Sequence, residues 1–132
     1  MSDAEHTLEF LLAFDGQVHR LEGGFWLKFE IKRAAATTER PHGLRYSFTL
    51  HDETGKRLIG FDNAHGVAPA GSRFSQRVAA TDHWHRTEDD PGRPYHFMNA
   101  ERLVADFFGE VRRVLGERGL ALTVVDVEEA SR

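Results

Sequence analysis

Phe25-Trp26-Leu27-Lys28-Phe29-Glu30-Ile31-Lys32 alternates without a break, with Phe25, Leu27, Phe29 and Ile31 on one side and Trp26, Lys28, Glu30 and Lys32 on the other. A period of two is the repeat of an extended chain, so this octet predicts a half-buried antiparallel strand with one face in solvent. Leu44 to His51 repeats the pattern, setting Leu44, Tyr46, Phe48 and Leu50 against Arg45, Ser47, Thr49 and His51. Asp52-Glu53-Thr54-Gly55 then predicts a hairpin loop, with Lys56 to Phe61 as the partner strand. Upstream, the turn signals Asp15-Gly16 and Gly23-Gly24 bracket a strand over Val18 to Leu21, and the apolar run Thr7 to Phe14 is read as a strand before it.

The helical period comes late. After Asn99, a good N-cap, Leu103, Val104, Phe107, Phe108, Val111, Val114 and Leu115 keep i, i+3, i+4 spacing. Gly116 or Gly119 ends this helix of about 17 residues. Tyr95-His96-Phe97 is read as a short strand before it, and the β-branched run Leu120 to Val127 as a final edge strand. The fold class expected is α+β, a single domain over 1–132 in which an antiparallel meander packs on one main C-terminal amphipathic helix. Its core spans 7–127, and a long loop over 66–81 shows no period.

Composition narrows the function classes. The 132 residues are 40% hydrophobic and 29% charged, with a formal net charge of -4, which excludes a surface coated in positive charge but allows a local basic patch. The absence of cysteine excludes disulfides, thiolate metal sites and a cysteine nucleophile. No apolar run approaches the ~20 residues that span a bilayer, and the start Met1-Ser2-Asp3-Ala4-Glu5 has the wrong charge for a secretory signal. A cytoplasmic protein with no membrane partner is expected.

Of eight histidines, His42, His65, His83, His85 and His96 fall between 42 and 97. In Asp82-His83-Trp84-His85-Arg86 an extended chain puts both imidazoles on one face. With His65 they are residue types that bind a divalent transition metal (Zn, Ni or Mn), a carboxylate such as Asp62 or Asp82 orienting a ring from behind. A metal-free alternative uses histidine as general base and acid, Arg86 or Arg45 on the phosphate, and Tyr95 or Asn63 to position RNA for attack by its own 2′-hydroxyl. Trp84 and Tyr95 could stack an unpaired base. The candidate catalytic set is therefore His65, His83, His85, Asp62, Arg86 and Tyr95, and the candidate metal set His65, His83 and His85. Each also has a plain structural reading: loop histidines without a role, Trp84 packing on the sheet edge, and Asp62 and Asn63 shaping a turn.

Four motifs in order give a further lead. His42-Gly43-Leu44-Arg45-Tyr46-Ser47-Phe48, Gly60-Phe61-Asp62-Asn63-Ala64-His65-Gly66, Asp82-His83-Trp84-His85-Arg86 and Pro94-Tyr95-His96-Phe97, followed by a helix with Leu103, Asp106 and Phe107, resemble the TumE-type toxin family over about 42–115. The link between the second and third motifs is longer than that family's usual one, and the start through Arg33 is less similar. The resemblance implies the toxin of a two-component toxin–antitoxin system, held inactive by a helix-turn-helix antitoxin, with RNA cleavage as the activity such toxins keep company with. Two other readings stand beside it. One is a metal- or ligand-binding module without catalysis; the other is an interaction domain, with a homodimer through the C-terminal edge strand.

Overall fold

The computed structural model describes residues 3–38, 41–63 and 82–129, with side chains described from Leu8 onward. His65 and the expected loop 66–81 lie outside the described residues. Seven strands form one antiparallel sheet: β1 (Gln17–Leu21), β2 (Trp26–Arg33), β3 (Leu44–His51), β4 (Arg57–Asp62), β5 (His83–His85), β6 (Arg93–Pro94) and β7 (Val124–Glu129), in the order β6-β5-β4-β3-β2-β1-β7. Among the described residues two α-helices, α1 (Asp3–Leu12) and α2 (Ala100–Glu117), accompany the sheet.

The alternation in β2 and β3 sets the register. Leu27 pairs with Leu50, Phe29 with Phe48 and Ile31 with Tyr46, so the apolar sets of neighbouring strands share one face. On β4, Ile59 and Phe61 extend that layer opposite Leu50 and Phe48. Leu103, Phe107, Val111, Val114 and Leu115 of α2 close over it and are buried. Phe107 meets Phe29, Phe48 and Phe61 at ring-centroid distances of 5.8, 5.6 and 6.0 Å. Helix α2 also carries the chain from one sheet edge to the other. Its 18 residues reach ~27 Å, close to the ~29 Å across a seven-stranded sheet.

The caps follow the chemistry of their residues. Asn99 Oδ1 accepts the amide of Arg102 at 2.8 Å. At the other end Gly119 adopts φ 73°, and the Leu120 amide returns to the Leu115 carbonyl at 2.8 Å, so Gly119 is the stop.

Three expectations are corrected. The run Thr7 to Phe14 is not a strand: Asp3–Leu12 is helical. Alanine, glutamate and leucine favour that state, and Leu8, Leu11 and Leu12 make an i, i+3, i+4 stripe that leaves Phe10 67% exposed. The strand expected at Tyr95-His96-Phe97 lies instead at Arg93–Pro94, where pairing with His83 and Trp84 ends. The last strand begins at Val124 rather than Leu120, because Leu120 and Leu122 pack on the core before the chain reaches β1.

Candidate functional site

The pairing of β4 with β5 decides which side chains meet. Phe61 pairs with Trp84, Asp62 with His83 and Gly60 with His85. Because alternate residues point to opposite faces, Trp84 joins Phe61 on the helix side, their rings stacked at 5.3 Å, while Asp62, His83 and His85 occupy the opposite face. All three are buried. The His83 and His85 rings meet edge to face at 5.2 Å.

The tautomer of His85 is set by its surroundings. Nδ1 lies 2.7 Å from the carbonyl oxygen of Asp90, which can only accept, so Nδ1 carries the proton and Nε2 a lone pair. Burial lowers the pKa of this imidazole; the Asp90 carbonyl opposes that, and the nearby charge of Arg57 and the neighbouring His83 reinforce it. Among the described residues nothing hydrogen-bonds to Nε2. His85 thus presents a neutral, buried nitrogen base.

Asp90 holds the turn that makes this contact. Its carboxylate accepts from the amides of Arg86 (3.1 Å) and Gly92 (2.9 Å) and from Nε of Arg93 (2.5 Å). Burial alone would raise its pKa, but these donors hold it at about 2.

On the helix side a second cluster ties three segments together. The Leu44 amide donates to Nδ1 of His42 at 3.1 Å, so the His42 proton sits on Nε2, which donates to both Asp82 oxygens at 3.0 Å. The Tyr46 hydroxyl donates to Asp82 Oδ2 at 2.6 Å, and burial followed by this bond pushes the phenol pKa far up. With both ring nitrogens used, His42 is a clamp rather than a base. Asn63, fully buried, donates from Nδ2 to the Leu44 carbonyl and accepts from the Tyr46 amide, both at 2.8 Å. Its side chain therefore continues the ladder of β3 rather than folding back on its own backbone.

The remaining candidates are distributed around this frame. Tyr95 lies on the helix side, where its hydroxyl donates to Asp106 at 2.7 Å; burial and that bond raise its pKa. With Phe61, Trp84, Asp106 and Glu110 it lines a cleft of about 220 Å³. Trp84 is flanked by Phe61 and by the Arg93 guanidinium, 5.6 Å from its ring centroid. Arg86 is exposed and lines another cleft of about 360 Å³ with Leu58, Arg113 and Glu117. The structure therefore brings His83, His85 and Asp62 together and places Arg86 and Tyr95 on the other side of the sheet. Among the described residues no group of three His, Asp or Glu side chains could hold a metal ion, and His65 lies outside them.

Sequence reasoning missed Asp90 and Arg57. The signal for the first was there, since an aspartate before Pro91-Gly92 is a turn organiser. A lone arginine opening a strand gives no such signal.

The fold and this site define a small α+β domain, a helix-backed sheet with a buried histidine pair on the face away from the helices. Residues 12–115 match the family model described as toxin TumE, and the chain belongs to that toxin family. The match begins thirty residues before the motifs that first suggested it. Membership makes the protein a toxin of a toxin–antitoxin pair and implies an antitoxin partner. No curated protein and no solved structure matches the chain. No helix among the described residues is long and apolar enough to cross a membrane.

Proposed function

We propose that this toxin is a ribonuclease and that His85 and His83 carry its chemistry. Nε2 of His85 takes the proton from a 2′-hydroxyl, and the freed oxygen attacks the adjacent phosphorus. The bond to the 5′-oxygen breaks, and that oxygen takes a proton from His83, leaving a 2′,3′-cyclic phosphate and a 5′-hydroxyl. Asp62, opposite His83 in the ladder, supports the ring as it gains and loses charge. The observation that carries this reading is the 2.7 Å contact between His85 Nδ1 and the Asp90 carbonyl, which directs a neutral lone pair from a buried imidazole beside a second histidine. Tyr95 and Arg86, on the far side of the sheet, take no part in the step.

The antitoxin in the same reading is a helix-turn-helix protein. A second copy of the chain would pair through β7, exposed along its whole length. Asp126, Glu128 and Glu129 would then approach like charges, which favours a basic partner segment over self-pairing.

Expression without the antitoxin should arrest growth and degrade RNA. His85→Gln and His83→Gln should each abolish both effects while still co-purifying with the antitoxin, which shows them folded. Arrest and RNA loss at wild-type levels in both variants would remove this site from the reaction.

A further inference from the structure

The face of the sheet that bears the histidine pair is covered by neither helix. Across it the register aligns Arg20 with Trp26, Trp26 with His51 and His51 with Arg57, a row running cation, aromatic, aromatic, cation over four strands. The Trp26 and His51 rings stack at 3.9 Å with 6° between their planes, and the Arg20 guanidinium stands 5.7 Å from the Trp26 centroid. His51 is fixed in this position: Nδ1 donates to the Gly55 carbonyl at 3.1 Å and Nε2 meets Thr49 Oγ1 at 2.9 Å. Its nitrogens are used, so it serves as a surface rather than as a base.

At the end of the row Arg57 turns toward His85. A Cβ at Gly60, whose ladder partner is His85, would stand 3.5 Å from Cδ of Arg57 and 3.4 Å from Cγ2 of Thr49, so the Arg57 side chain runs over Gly60 on the open face. Its charge also disfavours protonation of His51 and of His85, in keeping with that course. Arg57 is half-buried, and among the described residues it makes no hydrogen bond or ion pair. That is an unusual state for a group with five donors and a permanent charge, and it suits an anion that arrives from outside. Glu30 and Lys28 share the face but pair with each other at 3.3 Å.

Resting on the ribonuclease reading, we infer that Arg57 binds the phosphate beside His85 and that the Trp26–His51 stack seats a flanking base, so that the substrate is single-stranded RNA laid across the face of the sheet away from the helices. The planar fork of arginine matches two phosphate oxygens, and in that place it neutralises charge that builds on phosphorus during attack by the 2′-oxygen. An unpaired base offers a flat surface that can replace the Arg20 guanidinium on the indole face opposite His51, whereas the bases of a duplex are already stacked. A chain with net charge -4 then binds a polyanion through a local row and not through its overall field.

The test is binding of a fluorescein-labelled 2′-O-methyl oligouridine, which lacks the attacking hydroxyl, to the full-length chain carrying His85→Gln. Adding Arg57→Gln should weaken binding about tenfold and lower the salt slope by about 0.7, the loss of one phosphate contact on a single strand. Arg57→Lys should retain the salt slope and only part of the affinity, which separates charge and fork from folding. Trp26→Ala should weaken binding about tenfold and Trp26→Phe less. The same strand annealed to its complement should bind more weakly. Unchanged affinity in Arg57→Gln and Trp26→Ala, or no binding by the parent chain, overturns the inference. If binding responds as stated but the chain with His85 replaced still cleaves RNA, the groove stands and the catalytic assignment fails.

Discussion

His42 and Asp82, forty residues apart in the chain, meet at 3.0 Å through a ring whose other nitrogen is already occupied by the Leu44 amide. The Tyr46 hydroxyl completes the carboxylate's shell, so the loop before β3, the strand itself and the entry to β5 are fastened at one point. Removing one partner leaves a nearly buried carboxylate short of a donor. Tyr46→Phe should therefore cost about 1–3 kcal/mol in urea denaturation, with the specific cleavage rate per folded molecule unchanged. A drop in rate without a drop in stability would make this cluster part of the reaction instead.

Asn63 gives a sharper case, because among the described residues its amide alone answers both the Leu44 carbonyl and the Tyr46 amide. Asn63→Leu strands two buried backbone groups and should destabilise by on the order of 3 kcal/mol. Asn63→Asp keeps the acceptor and loses the donor, and should be destabilising at neutral pH, less so in acid where the carboxyl regains a proton. Equal melting temperatures for all three chains would show that the amide bonds contribute nothing net.

These two clusters mark where the sequence could and could not be read. The strands from Phe25 to Phe61 announce themselves because each buries one face against α2, and the register follows once Phe29 and Phe48 must share that face. In the run from Thr7 to Phe14 the helical stripe of Leu8, Leu11 and Leu12 is blurred by the equally apolar Phe10 and Phe14, so the run reads as a strand, and only the exposure of Phe10 betrays the helix. His83 and His85 could be placed together from spacing alone, since two residues of strand return a side chain to the same face. The pairing of His42 with Asp82 has no local signature, and Asn63 was legible as a turn former but not as a plug for another strand. Arg57 looked like any strand-opening cation until the row it ends became visible.

Three imidazoles shielded from water, His19 and His85 buried and His51 half-buried, make the fold sensitive to mild acid. Burial lowers the pKa of His19, His51 and His85 in the folded chain, while the unfolded chain binds protons near 6.5. Below that value the unfolded state holds more protons, so stability is complete above about pH 6.5 and declines as the pH falls beneath it. The urea midpoint should drop between about pH 7.5 and about pH 5.5, and His51→Gln should flatten the change. A midpoint that rises over this interval would contradict the neutral state assigned to these rings.

Asp90 tests whether His85 must be aimed as well as present. Its carboxylate, held at about 2, stays charged at any working pH and closes the turn from Arg86 to Arg93 around its own carbonyl, the acceptor for His85 Nδ1. Asp90→Ala keeps that carbonyl but frees the turn, so the imidazole loses its fixed tautomer and angle. Misplacement of this kind reduces kcat by up to about a hundredfold, while affinity for the 2′-O-methyl strand, which depends on Arg57 and Trp26, should stay at the parent value. Asp90→Asn retains a single acceptor oxygen, enough for either the Arg86 or the Gly92 amide, and should recover part of the rate. His85→Gln should recover none. Parent-like kcat in Asp90→Ala would mean that Nε2 reaches the 2′-hydroxyl without the turn, and a loss confined to KM would move Asp90 from aiming the base to shaping the groove.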